Sequence, residues 1–271
     1  MQIQGRVAVV TGAAGGIGHA VARELAQRGA EMIAMVDRTE CVASAAEDVR
    51  RAAHRDVAIA FCGDVTDAAF RRHVFDSMAS RSGAVSICVP AAGITRDALA
   101  VRVDKAAGQA RIYAEETFRQ VLDVNLIAPI YWVLEMVARL AEQRHHAGLG
   151  RWVPTEEDQG VGVLIGSVSS QGNKGQIAYA TTKAGLEGAA ATLMKEAIFY
   201  GVRCAVIHPG YTDTPMVRAL GDEFIERNIL PYTQLGRLVR PYEIADAICF
   251  MIQNAAVSGE LWADAGWHPP A

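Results

Sequence analysis

Short apolar runs alternate along the chain with longer segments of helical periodicity. The runs are rich in Val, Ile and Ala and do not switch between apolar and polar positions, a pattern typical of strands that are covered on both faces. The predicted strands are Arg6 to Val10, Met32 to Val36, Val57 to Phe61, Val85 to Val89, Val161 to Ile165 and Arg203 to Ile207.

Amphipathic helical segments fill the intervals between these runs. Examples are Ile17 to Arg28, Ala68 to Ser80, Glu115 to Glu142, Tyr179 to Phe199 and Pro241 to Gln253. Strands that alternate with helices predict a parallel sheet wrapped by helices. We therefore expect an α/β fold, with one doubly wound, Rossmann-type domain over residues 1–271 and a sheet of about seven strands.

Two stretches depart from this rhythm. Asp104 to Arg111 and Arg144 to Gly160 are longer than ordinary connections, and we treat them as insertions. Each is either a solvated surface excursion or an edge of the substrate pocket or of a subunit contact. Residues 211–235 mix apolar and charged side chains and are the expected substrate lid.

Composition and charge narrow the class of partner. The net charge is −4 and no long Lys/Arg run occurs, which argues against nucleic acid or an anionic membrane and favours a small molecule. We find no targeting segment or membrane span in the sequence. The five cysteines are far apart and odd in number, so a reducing cytoplasm is expected. The seven histidines lack partners at ligand spacing, so no metal site is predicted.

A glycine-rich turn follows the first predicted strand, in the sequence Thr11-Gly12-Ala13-Ala14-Gly15-Gly16-Ile17-Gly18, and opens directly into a helical pattern. Glycines allow close approach of a phosphate, and the free N–H groups at a helix start attract it. The second strand ends on Asp37, whose carboxylate suits an unphosphorylated ribose and repels a 2'-phosphate. NAD is therefore favoured over NADP, although Arg38 follows and would attract a phosphate.

Tyr179 and Lys183 are four residues apart in a helical stretch and therefore share one face. A lysine ammonium beside a phenol stabilises the phenolate, which predicts a lowered tyrosine pKa and a general acid/base. Ser167 ends the preceding apolar strand, where its hydroxyl suits a substrate oxygen. Ser169 and Ser170 are close alternatives.

Taken together, these motifs resemble the short-chain dehydrogenase/reductase family over nearly the whole chain. Within the family, the sequences at 92–97 and 172–176 are most similar to 3-oxoacyl-carrier-protein reductases and their bacterial alcohol-dehydrogenase relatives. Pro90 and Ala91 stand where the family usually has asparagines. The residues that carry the resemblance are Thr11 to Gly18, Asp64, Val65, Ala91, Ala92, Gly93, Asn125, Ser167, Tyr179, Lys183, Pro209 and Gly210.

The resemblance implies a role for each matching position. Tyr179 is the acid/base, Lys183 holds the nicotinamide ribose, Ser167 orients the carbonyl and Asn125 anchors a proton-relay water. The implied cofactor-binding residues are Gly12, Gly16, Ile17, Gly18, Asp37, Asp64, Val65, Ala92, Gly93, Tyr179, Lys183, Pro209, Thr212 and Thr214. The tail Asp264 to Trp267 resembles a segment at the subunit contacts of the family's homotetramers, so a homotetramer is expected.

Three functions are compatible with this reading. The first is an NAD-dependent oxidoreductase for a cyclic, aromatic or otherwise apolar secondary alcohol or ketone, because Asp37 favours the cofactor used for oxidation. The second is a 3-oxoacyl-thioester reductase, which needs the fold to gather basic residues such as Arg96, Arg102 and Arg218. The third is a cofactor-sensing binding protein without turnover, which an intact Ser167, Tyr179 and Lys183 disfavour.

Overall fold

The apolar runs form the strands of one central sheet and a separate hairpin. The computed structural model describes residues 1–267. Its strands are β1 (Val7–Thr11), β2 (Met32–Asp37), β3 (Ala58–Cys62), β4 (Val85–Pro90), β5 (Val101–Val103), β6 (Ala110–Ile112), β7 (Gly160–Ile165), β8 (Val202–Pro209) and β9 (Gly259–Ala263). The central sheet has seven parallel strands in the order β3-β2-β1-β4-β7-β8-β9. The expected seven-stranded α/β fold is confirmed.

Helices cover both faces of this sheet. They are α1 (Gly16–Gln27), α2 (Cys41–Ala53), α3 (Ala68–Ser82), α4 (Glu115–Leu122), α5 (Ala128–His146), α6 (Ile177–Glu196), α7 (Pro215–Arg218), α8 (Asp222–Asn228) and α9 (Pro241–Gln253). Leu25 of α1 and Ile248 of α9 belong to the apolar core on one face. Phe75 of α3, Trp132 of α5 and Leu186 of α6 belong to the core on the other. The fold is therefore doubly wound.

The strand order reverses between β1 and β4, which places a crevice at the carboxyl ends of these neighbouring strands. Pro90 ends β4 in this crevice. Its missing N–H costs little, because β4 pairs with β7 only at Ile87 and Cys88, before the proline. The crevice is therefore formed without disturbing the sheet beneath it.

The first insertion, Asp104 to Arg111, belongs to a β-hairpin that the hydrophobic pattern does not predict. β5 and β6 pair antiparallel, and the Asp104 carboxylate accepts hydrogen bonds from the N–H groups of Ala106 and Ala107 in the turn. All six strand residues are exposed. Because each strand has only three residues, the hydrophobic pattern carried too little signal for the strands to be predicted.

The second insertion lies at the amino end of the sheet, away from the crevice. Two buried arginines hold it in place: Arg144 pairs with Glu156 at 2.6 Å, and Arg203 pairs with Asp158 at 2.8 Å. Arg203 also donates to the carbonyl of Ile252 in α9 at 2.6 Å. The segment is therefore fastened to the fold, and it does not border the predicted substrate pocket.

The helical stretch Glu115–His146 is continuous, with one π-helical turn at Asp123–Ile127 between α4 and α5. By length and composition alone it is apolar enough to cross a membrane. Trp132, Val133 and Met136 on this stretch are fully buried in the core. This packing is typical of the core helix of an α/β domain.

The expected lid at 211–235 contains α7, α8 and a 3₁₀ turn at Leu230–Tyr232. Ile225 and Ile229 are buried and form a small apolar cluster with Leu238. Trp267 packs edge-on against Tyr211, with ring centroids 4.7 Å apart. The segment thus has its own small core beside the carboxyl ends of the strands.

Candidate active site

The glycine-rich turn connects β1 to α1 through a narrow passage, in which its backbone packs against neighbouring backbone. Gly12 has a φ of +66°, and a Cβ there would lie 2.7 Å from the backbone nitrogen of Ala92. A Cβ on Gly18 would lie 2.3 Å from the carbonyl oxygen of Gly12. Helix α1 begins at Gly16, and the Gly15 cap has no side chain to occupy the N–H groups of the first turn. These groups are therefore available to a phosphate.

Residues from four strand ends line one cavity of about 270 Å³ beside this turn. The Asp37 carboxylate is half-buried there, and it accepts hydrogen bonds from Ala14 N and from both polar groups of Thr39, each at 3.1 Å. The lining includes six of the predicted cofactor residues: Gly12, Asp37, Asp64, Val65, Ala92 and Gly93. The structure therefore gathers residues that lie far apart in the sequence into one site of nucleoside size.

Backbone and hydroxyl groups of β1 hold the end of β4, where the family usually has asparagines. The Thr11 hydroxyl accepts a hydrogen bond from Ala92 N at 3.1 Å, and the Thr11 carbonyl accepts one from Ala91 N at 3.2 Å. Thr11 is buried. The end of β4 therefore pairs regularly with β1, even though the asparagine side chains are missing.

Ser167 follows β7 and caps the 3₁₀ turn Val168–Gln171 by accepting a hydrogen bond from Ser169 N at 3.1 Å. Its hydroxyl also lies near enough to the Tyr179 phenol to lower the pKa of that phenol. The two alternatives face other partners: Ser169 donates to Gln176 Oε1 at 2.9 Å, and the buried Ser170 hydroxyl has no partner among the described residues. The geometry therefore favours Ser167 as the serine that works with Tyr179.

Tyr179 and Lys183 lie on one face of α6, as their spacing predicts. Lys183 is buried, and its ammonium lies 5.5 Å from the centre of the Tyr179 ring. Burial lowers the pKa of Lys183 to about 8. Burial also raises the pKa of Tyr179 to about 12, and the nearby Ser167 hydroxyl only partly opposes this.

The expected lowering of the tyrosine pKa is therefore wrong for this structure. Desolvation disfavours the phenolate more than the neighbouring polar groups stabilise it. Tyr179 is a neutral phenol near pH 7, which is the form that donates a proton.

Asn125 lies in the π-helical turn and is fully buried. Its side-chain amide is engaged twice by Ile94: Oδ1 accepts from Ile94 N at 2.9 Å, and Nδ2 donates to Ile94 O at 2.8 Å. Pro129 stands four residues later and has no N–H, so the Asn125 carbonyl lacks the usual helical donor. The two hydrogen bonds of the Asn125 side chain thus hold the loop after β4 at Ile94.

Three further predicted cofactor residues, Pro209, Thr212 and Thr214, lie at or just after the end of β8. Pro209 is buried, and the Thr212 hydroxyl donates to Gly210 O at 3.0 Å. Thr214 caps α7, and its methyl group would be 3.2 Å from a Cβ on Gly16. Thr214 therefore faces the glycine-rich turn across the site, while Ile17 is partly buried in the first turn of α1.

A polar network lies beside Tyr179, and no motif in the sequence predicts it. Gln176 donates to the Asp97 carboxylate at 2.8 Å, and Asn173 donates to Gln176 and to the Tyr211 phenol at 3.1 and 3.3 Å. The stretch 172–176 was singled out only for its resemblance to relatives. No spacing rule connects it with Asp97, which is far away in the sequence.

Known proteins resemble this chain over most of its length. The profile of the short chain dehydrogenase family matches residues 6–224. The chain is 33% identical to the 3-oxoacyl-[acyl-carrier-protein] reductase of Escherichia coli over 96% of both chains. It is 31% identical to carbonyl reductase family member 4 of Danio rerio over 94% of both.

Among solved structures, the crystal structure of gox2181 is similar, with a TM-score of 0.80 and 28% identity over 97% of this chain and 95% of that one. The family profile covers most of the chain, and the relatives cover nearly all of it. This chain therefore belongs to the short-chain dehydrogenase family of nicotinamide-dependent oxidoreductases.

Proposed function

We propose that this protein reduces the keto group of a 3-oxoacyl thioester carried on coenzyme A or on an acyl carrier protein. The observation that carries the proposal is a pair of arginines on the hairpin. Arg102 of β5 and Arg111 of β6 are directly opposite each other in the antiparallel register. Like charges at such positions repel. The Asp104 carboxylate, 3.7 Å from Arg111 Nη2, offsets part of this repulsion, and an anion that binds between the arginines would offset the rest.

The arginine pair borders a groove of mixed character. Arg96 lines the same groove, together with the apolar side chains of Leu99 and Ile112. Both apolar side chains are exposed. A cationic rim beside an apolar surface suits a pantetheine arm that ends in phosphate. The fold thus gathers two of the three arginines named from the sequence, whereas Arg218 instead pairs with Asp213 and Asp222.

The groove is joined to the catalytic helix by hydrogen bonds. Ala98, on its wall, donates from its backbone N–H to Gly175 O at 2.8 Å, just before α6 begins. The Asp97–Gln176 hydrogen bond reinforces this junction. A thioester bound along the hairpin would therefore present its acyl end towards Ser167 and Tyr179.

The residues of the site supply the proton chemistry of a carbonyl reduction. The Ser167 hydroxyl donates to the substrate oxygen and fixes its position. The Tyr179 phenol is protonated near pH 7, because burial raises its pKa to about 12, and it donates the proton that the new alkoxide needs. A nicotinamide cofactor, when bound, supplies the hydride.

The chain has a fitting place for that cofactor. The open N–H groups at the start of α1 suit the pyrophosphate, and the narrow passage at Gly12 admits no side chain. Asp37 lines the adenosine cavity, where its charge favours the ribose of NAD and opposes a 2'-phosphate. We therefore propose NAD(H) as the cofactor, with Lys183 on the nicotinamide ribose and Asn125 at the proton-relay water.

A second candidate is the oxidation of a cyclic, aromatic or otherwise apolar secondary alcohol. The observation in its favour is the aromatic surface of Trp262 and Trp267, which lines a hollow beside Ser169 and Asn173. Such a surface suits an apolar substrate without a carrier. A binding protein without turnover is disfavoured, since Ser167, Tyr179 and Lys183 meet in one arrangement.

The test compares acetoacetyl-CoA, ethyl acetoacetate and a panel of cyclic and aromatic secondary alcohols, with the coenzyme followed by NADH absorbance. We expect acetoacetyl-CoA to have the highest kcat/KM. The double variant Arg102→Gln, Arg111→Gln should raise KM for acetoacetyl-CoA by roughly tenfold or more, because charge-assisted contacts are lost. KM for ethyl acetoacetate, which has no phosphate, should not change.

Arg81→Gln is the matched control, since Arg81 is an exposed arginine in the last turn of α3, outside the groove. It should behave as the wild type with all substrates. Equal kcat/KM for the thioester and the simple ester would contradict the carrier assignment. A higher kcat/KM for an apolar alcohol would favour the second candidate.

We further propose that the protein acts in the cytoplasm as a homotetramer. The five cysteines are all free, and three of them are buried, which suits a reducing compartment. Neither nucleic acid nor a membrane is among the partners we propose, given the net charge of −4.

A further inference from the structure

His208 lies near the carboxyl end of β8, and its side chain is fully buried. The Trp262 ring stacks on it, with centroids 4.1 Å apart and planes inclined by 13°. The imidazole Nε2 has no hydrogen-bond partner among the described residues. Buried polar nitrogens almost always have one, so this atom is open to a further partner.

Two carboxylates face this nitrogen. Glu260 Oε2 of β9 lies 3.5 Å from Nε2, and Glu187 Oε1 of α6 lies 3.8 Å from it. One ligand atom from each of the three residues lies within 4.8 Å of the others. The three residues come from separate elements and are far apart in sequence, so ligand spacing along the chain did not reveal them.

We propose that His208, Glu187 and Glu260 bind a zinc ion. Zinc bonds of about 2.0–2.2 Å in tetrahedral geometry place ligand atoms about 3.3–3.6 Å apart, close to the 3.5 and 3.8 Å that separate Nε2 from the two carboxylates. An imidazole with two carboxylates suits zinc better than Mg²⁺ or Ca²⁺, which take oxygen ligands. The glutamates are 32% and 43% exposed, so the ion has access from solvent and a water completes its shell.

The other ring nitrogen of His208 connects this site with the catalytic serine. Nδ1 lies 3.2 Å from Ser167 O and 3.3 Å from Ser167 N, so it donates to the carbonyl in one tautomer and accepts from the N–H in the other. A Cβ on Gly166 would lie 2.6 Å from Nδ1. The ring is thus pressed against the strand end that carries Ser167. Zinc on Nε2 places the ring proton on Nδ1, which then donates to Ser167 O. The zinc site therefore supports the backbone of Ser167, while the serine hydroxyl faces Tyr179.

The test uses the untagged full chain, stripped with a chelator and dialysed against Zn²⁺. Elemental analysis should find one zinc per chain, and Zn²⁺ should raise the Tm, because it binds the folded state. Glu187→Gln and Glu260→Gln remove the negative ligands at partly exposed positions, so the fold should persist. Each should weaken zinc binding by roughly tenfold or more, and the double variant should abolish it.

Glu226→Gln, at an exposed position on α8, is the matched control and should bind zinc as the wild type does. Cobalt in place of zinc should show visible d–d bands without a thiolate charge-transfer band. The inference is overturned if the wild type retains no zinc, since His208 then forms ion pairs with the two glutamates instead. It is equally overturned if the double variant retains as much zinc as the wild type, because the ion then lies elsewhere, for example at His145 and His146.

Discussion

The ammonium of Lys183 donates a 2.6 Å hydrogen bond to the backbone carbonyl of Ile165, the last residue of β7. The contact joins the catalytic helix α6 to the strand that precedes Ser167. Both groups are buried, so the charge of Lys183 costs free energy that the carbonyl only partly offsets. This cost lowers the pKa of Lys183 to about 8 and makes stability depend on pH.

The first prediction concerns Lys183→Met. Between about pH 8 and 10.5 the folded wild type has lost this proton while the unfolded chain still holds it, so the free energy of unfolding rises with pH in that window. The variant lacks this pH-dependent contribution to the free energy of unfolding. The stability of the wild type relative to the variant should increase by up to about 3 kcal/mol across the window. Urea unfolding of both proteins at several pH values measures the difference, and a constant difference would contradict the assignment.

The second prediction concerns Tyr179→Phe. The variant loses the proton donor and should lower kcat by roughly a hundredfold or more, while NADH binding and the fold persist. Steady-state kinetics, NADH fluorescence and circular dichroism test these points. Tyr200→Phe is the matched control, because Tyr200 is 41% exposed in the 3₁₀ turn after α6, at the amino end of β8. Near-full turnover of Tyr179→Phe would show that another group transfers the proton.

The third prediction concerns the coenzyme. Asp37→Ser removes the ribose hydrogen bonds and the repulsion of a 2'-phosphate together, and leaves Arg38 on the same cavity. NAD use should fall and NADP use should rise, so that the ratio of kcat/KM values moves by at least about tenfold. Since Asp37 also accepts from Ala14 N, thermal unfolding should be measured alongside. An unchanged ratio would mean that Asp37 only holds the turn.

The fourth prediction is a homotetramer. Ile127 and Tyr131 on the Glu115–His146 stretch and Ile177 on α6 are 41%, 50% and 43% exposed, an apolar surface that suits a subunit contact. Light scattering should give four times the chain mass of 29.0 kDa. Ile127→Glu should shift the mass downward. Leu149→Glu, a change at another exposed apolar position, should leave it unchanged. A stable wild-type monomer at micromolar concentration would exclude the arrangement.

Hydrophobic pattern was sufficient to predict most of the sheet. The six predicted strands match β1, β2, β3, β4, β7 and β8 to within two residues at each end. β9 was missed as a segment, because Glu260 and Trp262 alternate with partly buried residues at the edge of the sheet. An edge strand pairs with only one other strand and is more open to solvent, so it lacks the continuous apolar run of a central strand.

The site was predictable where a motif combines residue type with a fixed backbone context. Gly12, Asp37 and Tyr179 belong to such motifs. In the structure, Gly12 and Asp37 line one cavity, and Tyr179 lies beside Lys183 on one face of α6. The hairpin pair Arg102 and Arg111 was not predictable, since it depends on the register of two short strands. The direction of the Tyr179 pKa was not either, because desolvation depends on packing that a helical spacing does not specify.

The attachments of Arg203 bear on how the molecule opens. This one side chain bonds Asp158 in the second insertion, Ile252 in the last turn of α9 and Val257 just before β9, from its own place in β8. If any one of these segments separates alone, the buried guanidinium charge of Arg203 loses one of its hydrogen-bond partners. We therefore expect hydrogen exchange to give the amides of these segments a common free energy of opening, as one cooperative unfolding unit, in spite of the irregular backbone of the insertion.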